Sequence, residues 1–463
     1  MTVIEYVKDI KYMQYISTII ASLGATCTGT IVGWSSPSVP LLISDHSPIG
    51  VQLTPEEASW AASCFSLGMI PGSIVAGSLL NKFGHKYLLI FSSVFFLASW
   101  ILVAVTKSLS LLLTGRVVGG LGGGVQLAAL QLYVGEIADK NIRGKLAVFP
   151  TVCSHLGMLI SLGIGPFVSF HTFTILCACV ALIFGTTVLF IPQSPYFLMK
   201  KGDVNSTKRS LSFLSKTIRL KNKIDETFEE VQTTIKYQTR NKFTLSHLLL
   251  KKRYRKSLIV VFVLKTLCDF SGGYAVNSYV QIILDSGNSS WSSEVSSLVY
   301  AIIQVTSIFF SAFLVDRVGR KPLTIVSAGG ASLTLIIEGT YFYLKDVENI
   351  DLTGYNFLAV LILCLYRLLT SLALSHIPYV LISELFSVNT KEICSLILST
   401  YTGVLMFTTI KIFNPILEAV GLHSLLWIYA SCCILTIVFV IGFMPETKGK
   451  SFNAIQDELE SEK

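Results

Sequence analysis

Within an otherwise apolar run near residues 258–284, Lys265 and Asp269 stand four positions apart. On a helix that spacing puts both on one face, where they can pair. A charge at membrane depth is costly and turns toward a partner or a cavity. The pair therefore either neutralises itself against neighbouring helices or belongs to a site that hydrogen-bonds a polyol or binds a charged solute. Glu338 and Lys411 are similar charges inside apolar runs, and His155 and His376 can face the same path or simply pack. The run Gly119-Gly120-Leu121-Gly122-Gly123-Gly124 lacks the Lys-Ser that a phosphate loop needs and lies in a hydrophobic stretch. It fits close helix contact instead. No nucleophile–base pair or metal-ligand spacing stands out, so the reading is not an enzyme, with no cofactor and no metal.

The elements that position these residues follow from composition. Hydrophobic residues make up 52% and charged residues 14%, with a mean hydropathy of +0.65. Those values exclude a soluble globular enzyme. A span needs about 20 apolar residues to cross the hydrocarbon core. Such runs lie near 12–34, 59–80, 87–105, 111–134, 146–167 and 172–192, then near 258–284, 296–315, 322–344, 356–385, 394–417 and 424–444. The expected fold is an all-α polytopic membrane protein of about twelve transmembrane helices in two pseudo-symmetric six-helix halves. The domains are an N-terminal half at 1–192, a basic linker with short helices at 193–256, a C-terminal half at 257–445 and a tail at 446–463.

The linker holds sixteen Lys and Arg, from Lys200 to Lys256. With the linker and both termini on one side, 30 of the 36 Lys and Arg lie there. Only Lys107 and Lys345 face the other side, and Arg116, Lys265, Arg367 and Lys411 lie within spans. The positive-inside bias therefore predicts cytoplasmic termini, with the net charge of +8 at the inner leaflet. The first apolar run is too long for a signal peptide and reads as a retained span. The ten cysteines sit in or beside spans and read as packing residues. Asn288-Ser289-Ser290 is a glycosylation acceptor in an outer loop, whereas the match at Asn205 falls in the linker.

The halves repeat one another. Asn81-Lys82-Phe83-Gly84-His85-Lys86 follows the second run, and Asp316-Arg317-Val318-Gly319-Arg320-Lys321 follows the eighth. Glu136 precedes Arg143-Gly144 by seven positions, as Glu384 precedes Lys391. Such repeats mark transporters that rock two halves around a midplane site. With Gly115-Arg116, Pro192-Gln193-Ser194-Pro195 and Pro445-Glu446-Thr447-Lys448-Gly449 in order at the matching spans, the chain resembles the sugar-porter branch of the major facilitator superfamily. Within that branch it resembles the facilitative glucose and insect trehalose transporters, over nearly its whole length.

The resemblance implies a major facilitator fold with an inner latch made of Arg116, Glu136, Arg143, Asp316, Arg320 and Glu384. Asn81 and His85 depart from the family's Asp and Arg, and Lys391-Glu392 from its Arg-Gly. Around the solute the departures are larger. Cys268-Asp269-Phe270-Ser271-Gly272-Gly273-Tyr274 stands where the family has Gln-Gln-x-Ser-Gly-x-Asn. Thr151, His376-Ile377-Pro378-Tyr379 and Thr402 occupy the other sugar-facing positions. The expected solute residues are thus Thr151, Asp269, Ser271, Tyr274, His376, Tyr379 and Thr402. Pro378 should soften the tenth span, Pro37 and Pro40 should end the first, and 204–220 and 225–237 should form short linker helices. The predicted function is plasma-membrane uniport of a small neutral solute, a sugar such as trehalose or a hexose, by alternating access. The partners are a sugar or polyol and the lipid bilayer, with no nucleic acid and no obligate protein partner. The alternatives are a receptor-like binding protein on a transporter scaffold and a proton-coupled symporter. The absence of an acid between Tyr15 and Trp34 disfavours the latter.

Overall fold

The computed structural model describes residues 12–139, 142–215, 227–233, 235, 252–287, 291–386 and 388–448. Asn288 and most of the linker lie outside these residues. Of the expected linker helices, Val204–Leu214 and residues 227–233 are described and helical.

Among the described residues, twelve helices are long and apolar enough to cross a membrane. Spans one to six are Tyr12–Ile43, Pro55–Phe83, His85–Ala104, Leu109–Ile137, Arg143–Phe167 and Phe170–Phe190. Spans seven to twelve are Tyr254–Ser286, Ser293–Val315, Arg320–Asp346, Phe357–Ile382, Thr390–Lys411 and Phe413–Phe443. Apolar sequence of this length becomes helix because a bilayer gives the backbone no other hydrogen-bond partner. Polar caps fix several starts: Thr54 and Glu57 form a capping box on span two, and Ser108, Ser169 and Ser292 cap spans four, six and eight. Large apolar side chains such as Ile74, Phe190, Phe309 and Phe443 point outward, as lipid-facing residues do.

One expected boundary is corrected and another stands. Pro37 and Pro40 do not end span one: the helix breaks at Trp34, restarts as Ser35–Ile43 and runs through Pro40. Pro37 falls in the first turn of the new piece, where a missing N–H costs nothing. Between spans eleven and twelve the chain turns at Gly421 (φ 79, ψ 166), inside the expected interval from 417 to 424. Ile412 keeps a helical backbone with i→i−4 bonds on both sides, so the chain does not reverse there. Asn414 donates to the Pro55 carbonyl at 2.9 Å and anchors this end of the helix to span two.

Span two lies against span eleven and span five against span eight, which joins the first six spans to the last six. The glycine-rich stretch of span four is a packing seam on span two. A Cβ on Gly120 would stand 2.1 Å from the Phe65 carbonyl oxygen, and one on Gly68 would stand 2.2 Å from that of Val117. Small residues of this kind let helix backbones touch where no hydrophobic effect drives them together. Gly120→Leu should therefore destabilise the protein by about 1–3 kcal/mol or more. Gly135→Ala on the same helix, with nothing within 4 Å of the added Cβ, should leave the thermal midpoint of the detergent-solubilised protein unchanged.

Candidate solute site and gates

Spans seven and ten are broken midway. Span seven comprises Lys252–Asp269 and Gly273–Ser286, and span ten Phe357–Leu372 and Ile377–Leu385. Breaks at this depth free backbone groups that can serve a solute. Gly272 makes the turn in span seven with φ +97, and a Cβ there would lie 2.5 Å from the Tyr429 ring. Ser271 is used locally: its hydroxyl donates to the Cys268 carbonyl at 2.6 Å, and its carbonyl accepts from Tyr366 at 2.8 Å.

Just before the break, Lys265 Nζ lies 2.8 Å from Asp269 Oδ1, and both side chains are buried. Two rings close over the ammonium, with centroids at 4.9 Å for Tyr379 and 5.3 Å for Tyr274. Tyr379 and Thr402 share a hydrogen bond of 3.0 Å, and Thr402 also donates to the Leu398 carbonyl. Asp269, Tyr274, Tyr379 and Thr402 thus converge on Lys265, which the sequence presented only as a pairing partner. Asp269 Oδ2 has no partner. Thr402 spends its proton on Leu398, so Tyr379 donates to Thr402, and the cluster offers a free carboxylate oxygen, two hydroxyl oxygens able to accept, and two ring faces, a set suited to a hydroxylated solute.

The remaining expected residues sit elsewhere. Thr151 acts through its carbonyl, which meets His155 Nδ1 at 2.8 Å. His155 Nε2 in turn lies 3.0 Å from Arg367 Nη2. A guanidinium can only donate, so Nε2 is the acceptor and the ring hydrogen is on Nδ1. This bond runs from the middle of span five to the middle of span ten, between the halves. Sequence reasoning placed the span-five contact one turn early, and its only signal for Arg367 was an unexplained cation in an apolar run. His376 Nε2 pairs with Ser311 of span eight at 2.9 Å and packs within the C-terminal half.

At the linker face the repeats become two matched networks. In the C-terminal half, Arg320 binds Glu384 at 2.9 Å, and Thr447 donates to Glu384 at 2.6 Å. Glu446 accepts from the backbone N–H of Arg320 and of Lys321, which caps span nine. In the N-terminal half, His85 stands 3.3 Å from Glu136, Ser194 donates to Glu136, and Gln193 accepts from the backbone N–H of Lys86. The His85 contact is close but not aligned as a hydrogen bond, since neither ring nitrogen has a hydrogen-bond partner. His85 and Gln193 thus occupy the places of Arg320 and Glu446, and the N-terminal network carries less charge. Burial pushes the Glu446 carboxyl up, but backbone N–H groups of Lys448, Lys321, Arg320 and Thr447 together outweigh it and hold the group below the ordinary carboxylate range.

Arg116 does not belong to this latch. It lies in span four, near the end opposite the linker, and each of its three guanidinium nitrogens is engaged there. The guanidinium donates to the carbonyls of Ile31, Ala61 and Ala62 and to Ser35, at 2.7 to 3.3 Å, and lies over the Trp34 ring at 4.6 Å. It binds the broken end of span one to spans two and four. The charge count could not show which end of its span it occupied. Arg143 is exposed and, among the described residues, donates a hydrogen bond to the Ala138 carbonyl alone, at 3.5 Å. Asp316 lies at the end of span eight's helix, and its side chain is outside the described residues.

Described hydrogen bonds between the halves concentrate at the face opposite the linker. Gln281 N–H donates to Ser36, Ser59 to the Lys411 carbonyl, and Ser297 to the Leu162 carbonyl, at 3.1 to 3.2 Å. Lys411 Nζ also sits 4.4 Å from the Trp60 ring centroid. That face is closed in this conformation.

The sugar (and other) transporter family matches residues 17–459. The chain belongs to this family. It is 28% identical to the facilitated trehalose transporter Tret1 of Bombyx mori over 97% of this chain and 87% of that protein. To Tret1 of Apis mellifera ligustica it is 26% identical, covering 97% and 90%. The major facilitator superfamily proton:xylose symporter XylE bound to 6-bromo-6-deoxy-D-glucose superposes with a TM-score of 0.79 at 19% identity, covering 97% of this chain and 99% of that one. The xylose transporter XylE of E. coli in a partially occluded inward open conformation gives 0.79 at 20% identity, covering 95% and 100%. The fold is that of the major facilitator superfamily.

In this sugar transporter family member, the buried ion pair and the Glu446 cap make two predictions. Asp269→Asn, which strands Lys265, should lower stability by about 3–5 kcal/mol, whereas Lys265→Met with Asp269→Leu should recover most of it. Thermal unfolding in detergent reads both. Glu446→Ala should cost about 0.5–2 kcal/mol at neutral pH, and Glu446→Gln, copying Gln193, should cost less. The folded carboxyl lies below its unfolded value, so its contribution is complete at neutral pH and is lost as pH falls through the depressed value. Stability of Glu446→Gln should therefore vary less with acidification than that of the parent.

Proposed function

We propose that the protein is a uniporter moving a solute of the sugar class by alternating access, with trehalose and hexoses the solutes to test first. The observation carrying this reading is the cluster of Asp269, Tyr274, Tyr379 and Thr402 around Lys265, set beside helix breaks at mid-membrane. In this reading Asp269, Tyr274, Tyr379 and Thr402 contact solute, while Thr151, Ser271 and His376 shape the backbone and neighbours behind them. Residues 1–192 and 257–445 rock as two bodies joined by the linker at 193–256, with 446–463 as tail. The networks of Glu136 and of Arg320 with Glu384 brace the linker-side gate, and Arg116 braces the opposite one. The Lys and Arg bias supports a cytoplasmic linker and cytoplasmic termini in a plasma-membrane protein. Uniport is preferred because no acid lies between Tyr15 and Trp34 of span one.

Uptake by purified protein in liposomes tests the proposal with labelled glucose, trehalose, fructose and a polyol. Saturable uptake of at least one is expected, flat between about pH 5.5 and 7.5 and weakened by Asp269→Asn. Acceleration by an imposed proton gradient would indicate a symporter. Solute binding without uptake would indicate a receptor.

A further inference from the structure

Four cations lie inside spans, and three have evident compensation. Arg116 makes four hydrogen bonds to carbonyls and Ser35, Lys265 is paired with Asp269, and Lys411 ends its span under the Trp60 ring. Arg367 differs. It is 3% exposed in the middle of span ten, its Nη2 meets only a neutral imidazole, and its Nε has no partner. A carboxylate that shares the neighbour Tyr300 with it is Glu338 of span nine. It is fully buried, and neither of its oxygens has a hydrogen-bond partner, so it does not bind the guanidinium. Both groups act on Tyr300 of span eight, whose hydroxyl is committed to Asn277. The other groups facing Arg367, namely His155, His376 through His155, and Tyr366, carry no negative charge to offer it.

An uncompensated guanidinium in a dry interior is expensive, and a protein that keeps one has a use for it. Arg367 lies where the halves meet, bonded across to His155, so an alternating-access path passes it. We propose that Arg367, oriented by His155, binds the carboxylate of the transported solute, so that the sugar-class solute preferred here is a sugar acid. This rests on the transporter reading above and narrows its substrate. Arg367 supplies one positive charge, which a carboxylate neutralises and a phosphate dianion overshoots. Nε–H is free to donate to a carboxylate oxygen, and guanidinium–carboxylate pairs are among the stronger hydrogen-bonded contacts. The hydroxyls of the same molecule would then meet Asp269, Tyr379 and Thr402.

Glucose and glucuronate share a ring and differ at one carbon, where a hydroxymethyl becomes a carboxylate, so they isolate the charge. The full chain in liposomes would be offered both, labelled, beside glucose 6-phosphate as competitor, with Arg367→Gln and Arg367→Lys. The expected result is saturable glucuronate uptake, weakened about tenfold or more by Arg367→Gln and less by Arg367→Lys, while glucose uptake changes little. Stronger competition by glucose 6-phosphate than by glucuronate would overturn the carboxylate assignment. Glucose uptake that glucuronate neither matches nor inhibits would overturn the proposal and leave the sugar transporter intact. If no solute moves, thermal shift of the detergent-solubilised wild type decides. Stabilisation by glucuronate but not by glucose sustains the anion site without transport, and equal or absent shifts remove it. That comparison needs no variant to fold.

Discussion

A bilayer interior gives no water to a freed carbonyl or a charged side chain, so each one placed there must be answered by the protein itself. The structure can be read as a set of such answers. Breaking span seven frees backbone groups, and Ser271 and Tyr366 take them up. Beside the break in span one Arg116 takes up the Ile31 carbonyl and ties it to the Ala61 and Ala62 carbonyls of span two. Lys265 is answered by Asp269 and two aromatic rings. Arg367 and Glu338 are both answered incompletely, and Arg367, the one bonded across the halves, draws attention as a functional residue.

The same constraint explains why the two halves match most closely at the linker face. There the helix ends return to water, and carboxylates, backbone N–H groups and cations satisfy one another in fixed patterns. Glu384 with Arg320 and Thr447 is the counterpart of Glu136 with His85 and Ser194. Glu446 and Gln193 do one job, with and without charge. A network built on a histidine and an amide holds less tightly than one built on an arginine and a carboxylate. The gate is therefore weighted toward the C-terminal half. Ion pairs of this partly exposed kind bias a conformational equilibrium by only a few kcal/mol at most, which lets the gate open.

Much of this was legible in the sequence because hydropathy and charge are one-dimensional signals. The spans, the side of the basic loops and the repeated motifs all follow from the order of residues. What escaped was set by geometry. Pro40 looked like a helix end, yet the chain had already broken at Trp34. Arg116 was grouped with the latch by its place in a motif, although its span carries it toward the far side. Thr151 was chosen where His155, one turn later, makes the contact. Of the solute residues, those close to Lys265 in space converged, while Ser271 and His376 were drawn into local bonding.

The central claim is that two bodies rock about the midplane cluster so that the faces open in turn. Spin labels at Lys82 and Arg317 on the linker face, and at Gln52 and Glu348 on the opposite face, would report it directly through paired distance distributions with and without solute. All four positions are exposed. Rocking predicts that the two distances change in opposite senses when solute or lipid conditions shift the population. Distances that stay fixed, or that lengthen together, would contradict it.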